Sequence, residues 1–301
     1  MLRFEPIYTS RSWGGRRIEH ELGRTLPSGP IGESWELVDL GERQSRVIEG
    51  HHAGKTLGEL WRAGMLGGSA TGSFPFLVKW IDTEDKTSVQ VHPDAAACAK
   101  LGKGQPKSEV WYIANADPGA VILLGHYPGL DAATLRQAAT GGTVHKWLYE
   151  ITPKVGDMLP VPAGTLHAIG AGFLLLEVQE TSDTTFRVYD WKRIGLDGRP
   201  RELHLEEAIA AVSFARVGPP KPQRQDVEGP GFLMRLWHSG VELPAQMLRV
   251  IVAETGHVTV VTERGDVTLE FGDLVLLEPQ DGKARLLNGS AMFVTEAVSP
   301  K

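Results

Sequence analysis

The sequence predicts a mainly β protein, a sandwich or barrel with a few short helices. Three observations carry that prediction. Short Val, Ile, Leu and aromatic runs recur along the chain, 35 Gly and 19 Pro punctuate them, and apolar stripes at helical spacing are scarce. At 301 residues with 42% hydrophobic content, the chain can bury a large core as one large domain or two ordinary ones.

The strands are expected in "GESWELVDL" (32–40), "FPFLVKWID" (74–82), "TSVQVH" (87–92), "SEVWYIAN" (108–115), "AVILLGHY" (120–127), "GDMLPVP" (156–162) and "GFLLLEVQE" (172–180). Three helices are expected. Asp94 stands where an N-cap belongs, ahead of "AAACAKL" and a stop at Gly102, and "LDAATLRQAA" and "LHLEEAIAAVSF" carry the other helical stripes. Near residue 218 the composition shifts to "VGPPKPQRQDVEGPG", rich in Pro, Gly and charge. The chain therefore divides into a domain over 1–217, a linker over 218–227 and a small β domain over 228–301. In the last, "GDLVLLEP" resembles "GDMLPVPAG", each a Gly-Asp turn feeding an apolar strand, which suggests two related barrels.

Composition removes several function classes. The formal charge is -6 and the cations are scattered, which argues against a nucleic-acid surface. The first residues lack the apolar core of a signal peptide, and no run reaches the roughly 18 apolar residues of a membrane span. A cytoplasmic protein without a membrane partner is expected. The single cysteine, Cys98, allows no internal disulfide and no Cys-rich zinc site, so any metal must be held by His and carboxylate. No Gly-x-Ser-x-Gly elbow occurs, and "GKGQP" is too short for a phosphate-cradling Walker loop.

Against that background "SVQVHPD" (88–94) stands out. Alternation puts Ser88, Gln90 and His92 on one polar face and Val89 and Val91 on an apolar one, the pattern of a strand lining a polar cavity. Lys107 and Glu109 share a face in the same way. In "GDMLPVPAGTLH" (156–167), a strand runs into a Pro/Gly turn that throws His167 back towards the mouth of the barrel. This spacing resembles the second motif of the cupin superfamily, jelly-roll β-barrels that commonly hold a metal, although Gln90 stands where the first cupin motif has a histidine.

In order, "SVQVHPD", "KSEVWYI", "VPAGTLHAIG" and "TTFRVYDW" resemble the signature of the type I phosphomannose isomerases, and "WGGRRI" and "IGESWEL" are similar to the family's short bacterial form. The resemblance covers residues 1–216. It implies a zinc-dependent aldose–ketose isomerase that interconverts mannose 6-phosphate and fructose 6-phosphate through an enediol. It places one Zn²⁺ per chain on Gln90, His92, Glu109 and His167, with a net site charge near +1. It places the reactive arginine at Arg187 and leaves Lys107 and Glu33 as candidates for the general base. Ser88 and Lys79 compete for the phosphate. The implied partner is the sugar-phosphate substrate, in a monomer or homodimer. The segment between "KSEVWYI" and "GDMLPVPAG" is short, where long family members insert a helical domain, so a more open pocket is expected.

Simpler readings stand beside these. Arg187 can serve as an ordinary ion-pair partner of Asp190 or Asp183, and lysines on strands, such as Lys79 and Lys107, are usually solvated. Trp13, Trp35, Trp111 and Trp191 are expected to pack the barrel, and His51 and His52 to face solvent. A catalytically silent sugar-phosphate binder, or an isomerase for another sugar, is the alternative function.

Overall fold

Two antiparallel sheets face one another in the N-terminal part of the chain; the computed structural model describes residues 1–297. The six-stranded sheet runs in the order Ile7–Gly15, Ile31–Leu37, Phe76–Thr83, Phe173–Glu180, Glu109–Ala116, Met158–Val161. The five-stranded sheet opposite has the order Phe186–Tyr189, Val89–Val91, His167–Ile169, Ile122–His126, Leu148–Ile151.

The central strands of the larger sheet are apolar on both faces, as strands buried on both sides must be. Val78, Trp80, Val110, Tyr112, Leu174, Leu176 and Val178 point to one core, while Ile81, Trp111, Ile113, Phe173 and Leu175 point to another between the two sheets. All seven expected N-terminal strands are present. The strand expected to carry His167 beyond the Pro/Gly turn is His167–Ile169, whereas sequence reading missed Ile7–Gly15, Leu148–Ile151 and Phe186–Tyr189. The first of these has no clean alternation because its register slips twice, at Thr9/Ser10 and Ser10/Gly15.

The three expected helices are Ala95–Leu101, Ala132–Thr140 and Leu205–Ala211. Asp94 and Asp131 cap the first two by accepting from the Ala97 and Thr134 amides, and Gly102 ends the first with a left-handed φ of 65°. Two further short helices, Arg17–His20 and Leu57–Arg62, escaped periodicity because they are too brief to show it. The second carried a readable signal nonetheless: Thr56 and Glu59 form a reciprocal capping box. Among the described residues, no helix is long and apolar enough to cross a membrane.

Residues beyond 225 form another pair of sheets, one of five strands between Asp226 and Thr295 and one of four strands between Glu242 and Asn288. The last four residues of the expected small β domain, 298–301, lie outside the described residues. The five-stranded sheet packs on the outer face of the N-terminal six-stranded sheet, where Val227, Phe232, Met234, Val250 and Val294 join Phe76, Val78 and Trp80 in one core. Leu2 pairs with Leu276 across this junction. The expected linker is itself ordered into the sheets, since Gln223 pairs with Met158 and the Asp226–Gly229 strand begins within it. His52 departs from expectation: it is buried, with Nε2 3.1 Å from Glu278 Oε1.

Phe232 is fully buried and meets Phe76 edge-to-face at 6.3 Å across the junction. Phe232→Ala is expected to cost about 3–5 kcal/mol, with the whole chain still unfolding in one transition. Chemical denaturation followed by tryptophan fluorescence and circular dichroism would check this. Two separated transitions would show that the shared core does not couple the parts.

Candidate active site

Strand register aligns the charged groups between the N-terminal sheets. In the larger sheet, Trp35, Lys79, Glu177 and Trp111 stand directly opposite one another on four neighbouring strands. In the facing sheet, Arg187, Gln90 and His167 make a second row. Cross-strand partners point to the same face, so each row presents its side chains to the space between the sheets. That space is a cavity of about 270 Å³ lined by Glu33, Lys79, Gln90, Lys107, Glu109 and Arg187, together with Arg11, Arg43, Trp111, Glu177, Asp183 and Arg201. A larger groove of about 760 Å³ beside Gly14–Arg17 has no comparable cluster: its arginines are paired to Glu19, Glu21 and Asp117.

Against the cavity wall, His92, Glu109 and His167 bring ligand atoms within 4.8 Å of one another, and all three are buried. His92 Nε2 is 3.3 Å from Glu109 Oε2, and His167 Nε2 is 3.5 Å from Glu109 Oε1. Each imidazole is oriented from behind. His92 Nδ1–H donates to the Thr184 carbonyl at 2.8 Å, and His167 Nδ1–H donates to the Thr165 carbonyl at 2.9 Å. With the proton fixed on Nδ1, the Nε2 lone pair of each ring faces Glu109, the tautomer that a metal requires. Lys107 Nζ lies 2.8 Å from Glu109 Oε2 as an ion pair off the hydrogen-bonding direction, so both buried Glu109 oxygens lack a hydrogen bond. Two imidazole nitrogens and an unsatisfied carboxylate make a donor set suited to a divalent cation. In this structure the Gln90 amide nitrogen donates to His167 Nε2 and the Lys107 ammonium to His92 Nε2, both at 3.2 Å.

Burial and charge act together here. Burial, followed by the Lys107 ammonium, pushes His92 down to about 4, and burial also lowers His167, so both rings are neutral at physiological pH. Burial works to raise Glu109, but Lys107 and then His92 hold it well below the usual carboxylate range. On the cavity floor, Lys79 Nζ sits 2.9 Å from Glu177 Oε1 and 3.2 Å from Glu33 Oε1. Burial opposes its charge, yet Glu177 and Glu33 together raise Lys79 above the ordinary lysine value. Glu33 also accepts from Arg11 at 2.7 Å and from the Trp35 indole at 3.2 Å. Burial again works upward, but Lys79 and Arg11 outweigh it and hold Glu33 at about 2.

Eight of the nine residues singled out from sequence line this cavity or form its buried metal-ligand cluster. Ser88 is set back from it: its hydroxyl is buried and donates to Gln90 Oε1 at 3.0 Å. Neither ordinary ion-pair reading of Arg187 holds, because Asp190 is taken by Arg201 and Asp183 by Arg43. Among the described residues Arg187 has no carboxylate partner. Lys79 and Lys107 are buried rather than solvated.

A family model described as "Phosphomannose isomerase type I, catalytic domain" matches residues 1–133. A mannose-6-phosphate isomerase of Streptococcus mutans is 35% identical over 294 residues, which cover 91% of this chain and 92% of that protein. The chain belongs to the type I phosphomannose isomerase family. The crystal structure of the mannose 6-phosphate isomerase from Bacillus subtilis superimposes with a TM-score of 0.87 at 29% identity, covering 99% of both chains. A structure of a mannose 6-phosphate isomerase bound with zinc and yttrium shares the fold at a TM-score of 0.73 and 15% identity, covering 99% of this chain and 100% of that one. The chain thus has the mainly β, cupin-type fold of this family, as the sequence predicted.

Sequence reading missed Glu177, Arg11, Arg43 and Arg201. A signal existed for Glu177, the one acid within "FLLLEV", on the same face as Phe173 and Leu175. Its carboxylate stands between two buried ammonium groups, with Lys107 Nζ at 3.7 Å and the Trp111 indole donating to it at 2.8 Å. Glu177→Gln leaves both lysines short of counter-charge and is expected to cost about 3–5 kcal/mol in urea unfolding. A loss below about 1 kcal/mol would show that the lysines do not depend on it.

Glu33 gives a pH-resolved test. Its folded pKa of about 2 lies below the ordinary 4.5, so its stabilisation is complete above pH 4.5 and lost as pH falls towards 2. The stability of Glu33→Gln should fall less steeply with pH in that window. Parallel curves for the two proteins would contradict the pairing.

Proposed function

We propose that this chain interconverts mannose 6-phosphate and fructose 6-phosphate through an enediol, with Zn²⁺ held by His92, Glu109, His167 and Gln90. The single observation that carries the reading is the row Arg187–Gln90–His167 set against Lys107 and Glu109 across one small cavity, with an unpaired guanidinium beside a buried His/Glu/His cluster. The zinc in the distant structural relative supports that choice of ion. When bound, the ion supplies Lewis-acid polarisation of the sugar oxygens.

The chain's own groups divide the remaining work. In the forward direction, a base takes the proton from C2 while O1 gains a proton, giving the enediol; O2 then loses its proton and C1 receives one. Glu33, held at about 2 by Lys79 and Arg11, has little affinity for a proton at neutral pH, which leaves Lys107 as the carrier, acting as base only once its ammonium has given up a proton. Lys79, locked between Glu177 and Glu33, acts as a fixed positive charge. Arg187 offers hydrogen bonds to the oxygens where negative charge develops. Ser88 acts through Gln90, donating its hydroxyl to the amide oxygen and so fixing the side chain's orientation. The sheets beyond residue 225 contribute no residue to the cavity, and we assign them a supporting role through the core they share with the six-stranded sheet.

A coupled assay with mannose 6-phosphate tests the reading. Activity should vanish on chelation, return with Zn²⁺ and be absent in His167→Ala. Arg187→Ala should retain zinc but lose about 10²–10³-fold in kcat. Failure of the zinc-loaded, folded protein to form fructose 6-phosphate would sink the proposal in favour of a silent binder or an isomerase for another sugar.

A further inference from the structure

The cavity rim carries an ion pair that the isomerisation scheme does not use. Arg43 Nη1 and Asp183 Oδ2 are 2.7 Å apart, both line the cavity, and they are 50% and 44% exposed. The other two rim arginines are committed to buried acids through two nitrogens each: Arg11 to Glu33 and Arg201 to Asp190. Arg43 spends one nitrogen on an exposed partner, and most of its planar fork remains free. An exposed pair of this kind contributes little to stability, so another anion can displace Asp183 at small cost.

Arg43 is nevertheless held in place. It opens the short strand Arg43–Gln44, paired with Asp39–Leu40 across a tight turn, and its guanidinium lies 4.8 Å from the centroid of the Trp35 ring. The buried Asp39 anchors that turn by accepting from Gln44, Arg62 and the Phe74 amide. Six cationic and four anionic side chains line the cavity, an excess of positive charge in a chain whose formal net charge is -6. That excess suits a dianion.

We propose that Arg43 is the phosphate grip of this enzyme and that Asp183 is its resting counter-ion, displaced when the phosphate group of the substrate enters. The assignment rests on the sugar-phosphate reading above and moves the phosphate contact from Ser88 and Lys79, which are bonded to Gln90 and clamped between two glutamates respectively. Phosphate and guanidinium match as a planar, two-point pair, which lysine cannot offer.

Two measurements test it. In the zinc enzyme, Arg43→Ala should raise KM for mannose 6-phosphate about tenfold to a hundredfold, with the loss falling mainly in KM. Asp183→Asn, which removes the competing carboxylate, should lower KM about twofold to fivefold. Inorganic phosphate binding, measured by calorimetry on wild type and both variants, should follow the same order without reference to turnover. Both side chains are half-exposed, so unchanged thermal melts will establish that the variants fold. Equal phosphate affinity in all three proteins would overturn the grip while leaving the isomerase intact. Ordered phosphate affinities without any turnover would keep the grip and reject the isomerase.

Discussion

The site depends on one buried carboxylate. Glu177 follows the apolar run Phe173–Leu176 in its strand, and it stands between Lys79 and Lys107 with its second oxygen held by Trp111. Two ammonium groups in so dry a place require counter-charge close at hand, because the desolvation of each is worth several kcal/mol. Glu177 and Glu33 supply it to Lys79, and Glu177 and Glu109 supply it to Lys107. This chain of alternating charges fills the cavity floor and leaves Arg187 as the cavity cation without a carboxylate partner among the described residues. The free guanidinium follows from the satisfaction of its neighbours.

The metal-ligand set depends on backbone in the same way. Thr184 and Thr165 offer carbonyls that fix the imidazole protons on Nδ1, and both residues lie in turns outside regular strands. Thr184 immediately follows Asp183, so the segment that orients His92 also presents the acid on Arg43. Gly104 is packed against the Thr184 side chain, where an added Cβ would approach to 2.9 Å, which leaves that segment little room to shift. The rim and the metal-ligand cluster are therefore joined by a single peptide link.

Much of this was legible in the sequence where the signal was local. The cap at Asp94 announced its helix, and the alternation in "SVQVHPD" and the turn in "PAGTLH" identified Gln90, His92 and His167. What was hidden depended on partners far along the chain. Glu33 was a candidate base until its bonds to Arg11 and Lys79, 22 and 46 residues away, gave it a different electrostatic setting. Arg43 gave no sign at all, since its partner lies 140 residues on. Alternation did mark Glu177 as an acid on an inward face, but only the register beside Lys79 tells why it is tolerated there.

That register is itself enforced from outside the cavity. Side chains in a strand alternate with a period of two, so a slip of one residue in Phe76–Thr83 would turn Lys79 outward and Trp80 inward. Trp80 is packed in the core shared with the C-terminal sheet, and its indole donates to the Gly272 carbonyl at 3.1 Å. The slipped strand would bury an ammonium among Val227, Phe232 and Met234 and leave that carbonyl without its indole donor. The C-terminal sheets touch no part of the cavity, yet they make the wrong register prohibitively unfavourable. Their apolar face specifies which residues the active site receives.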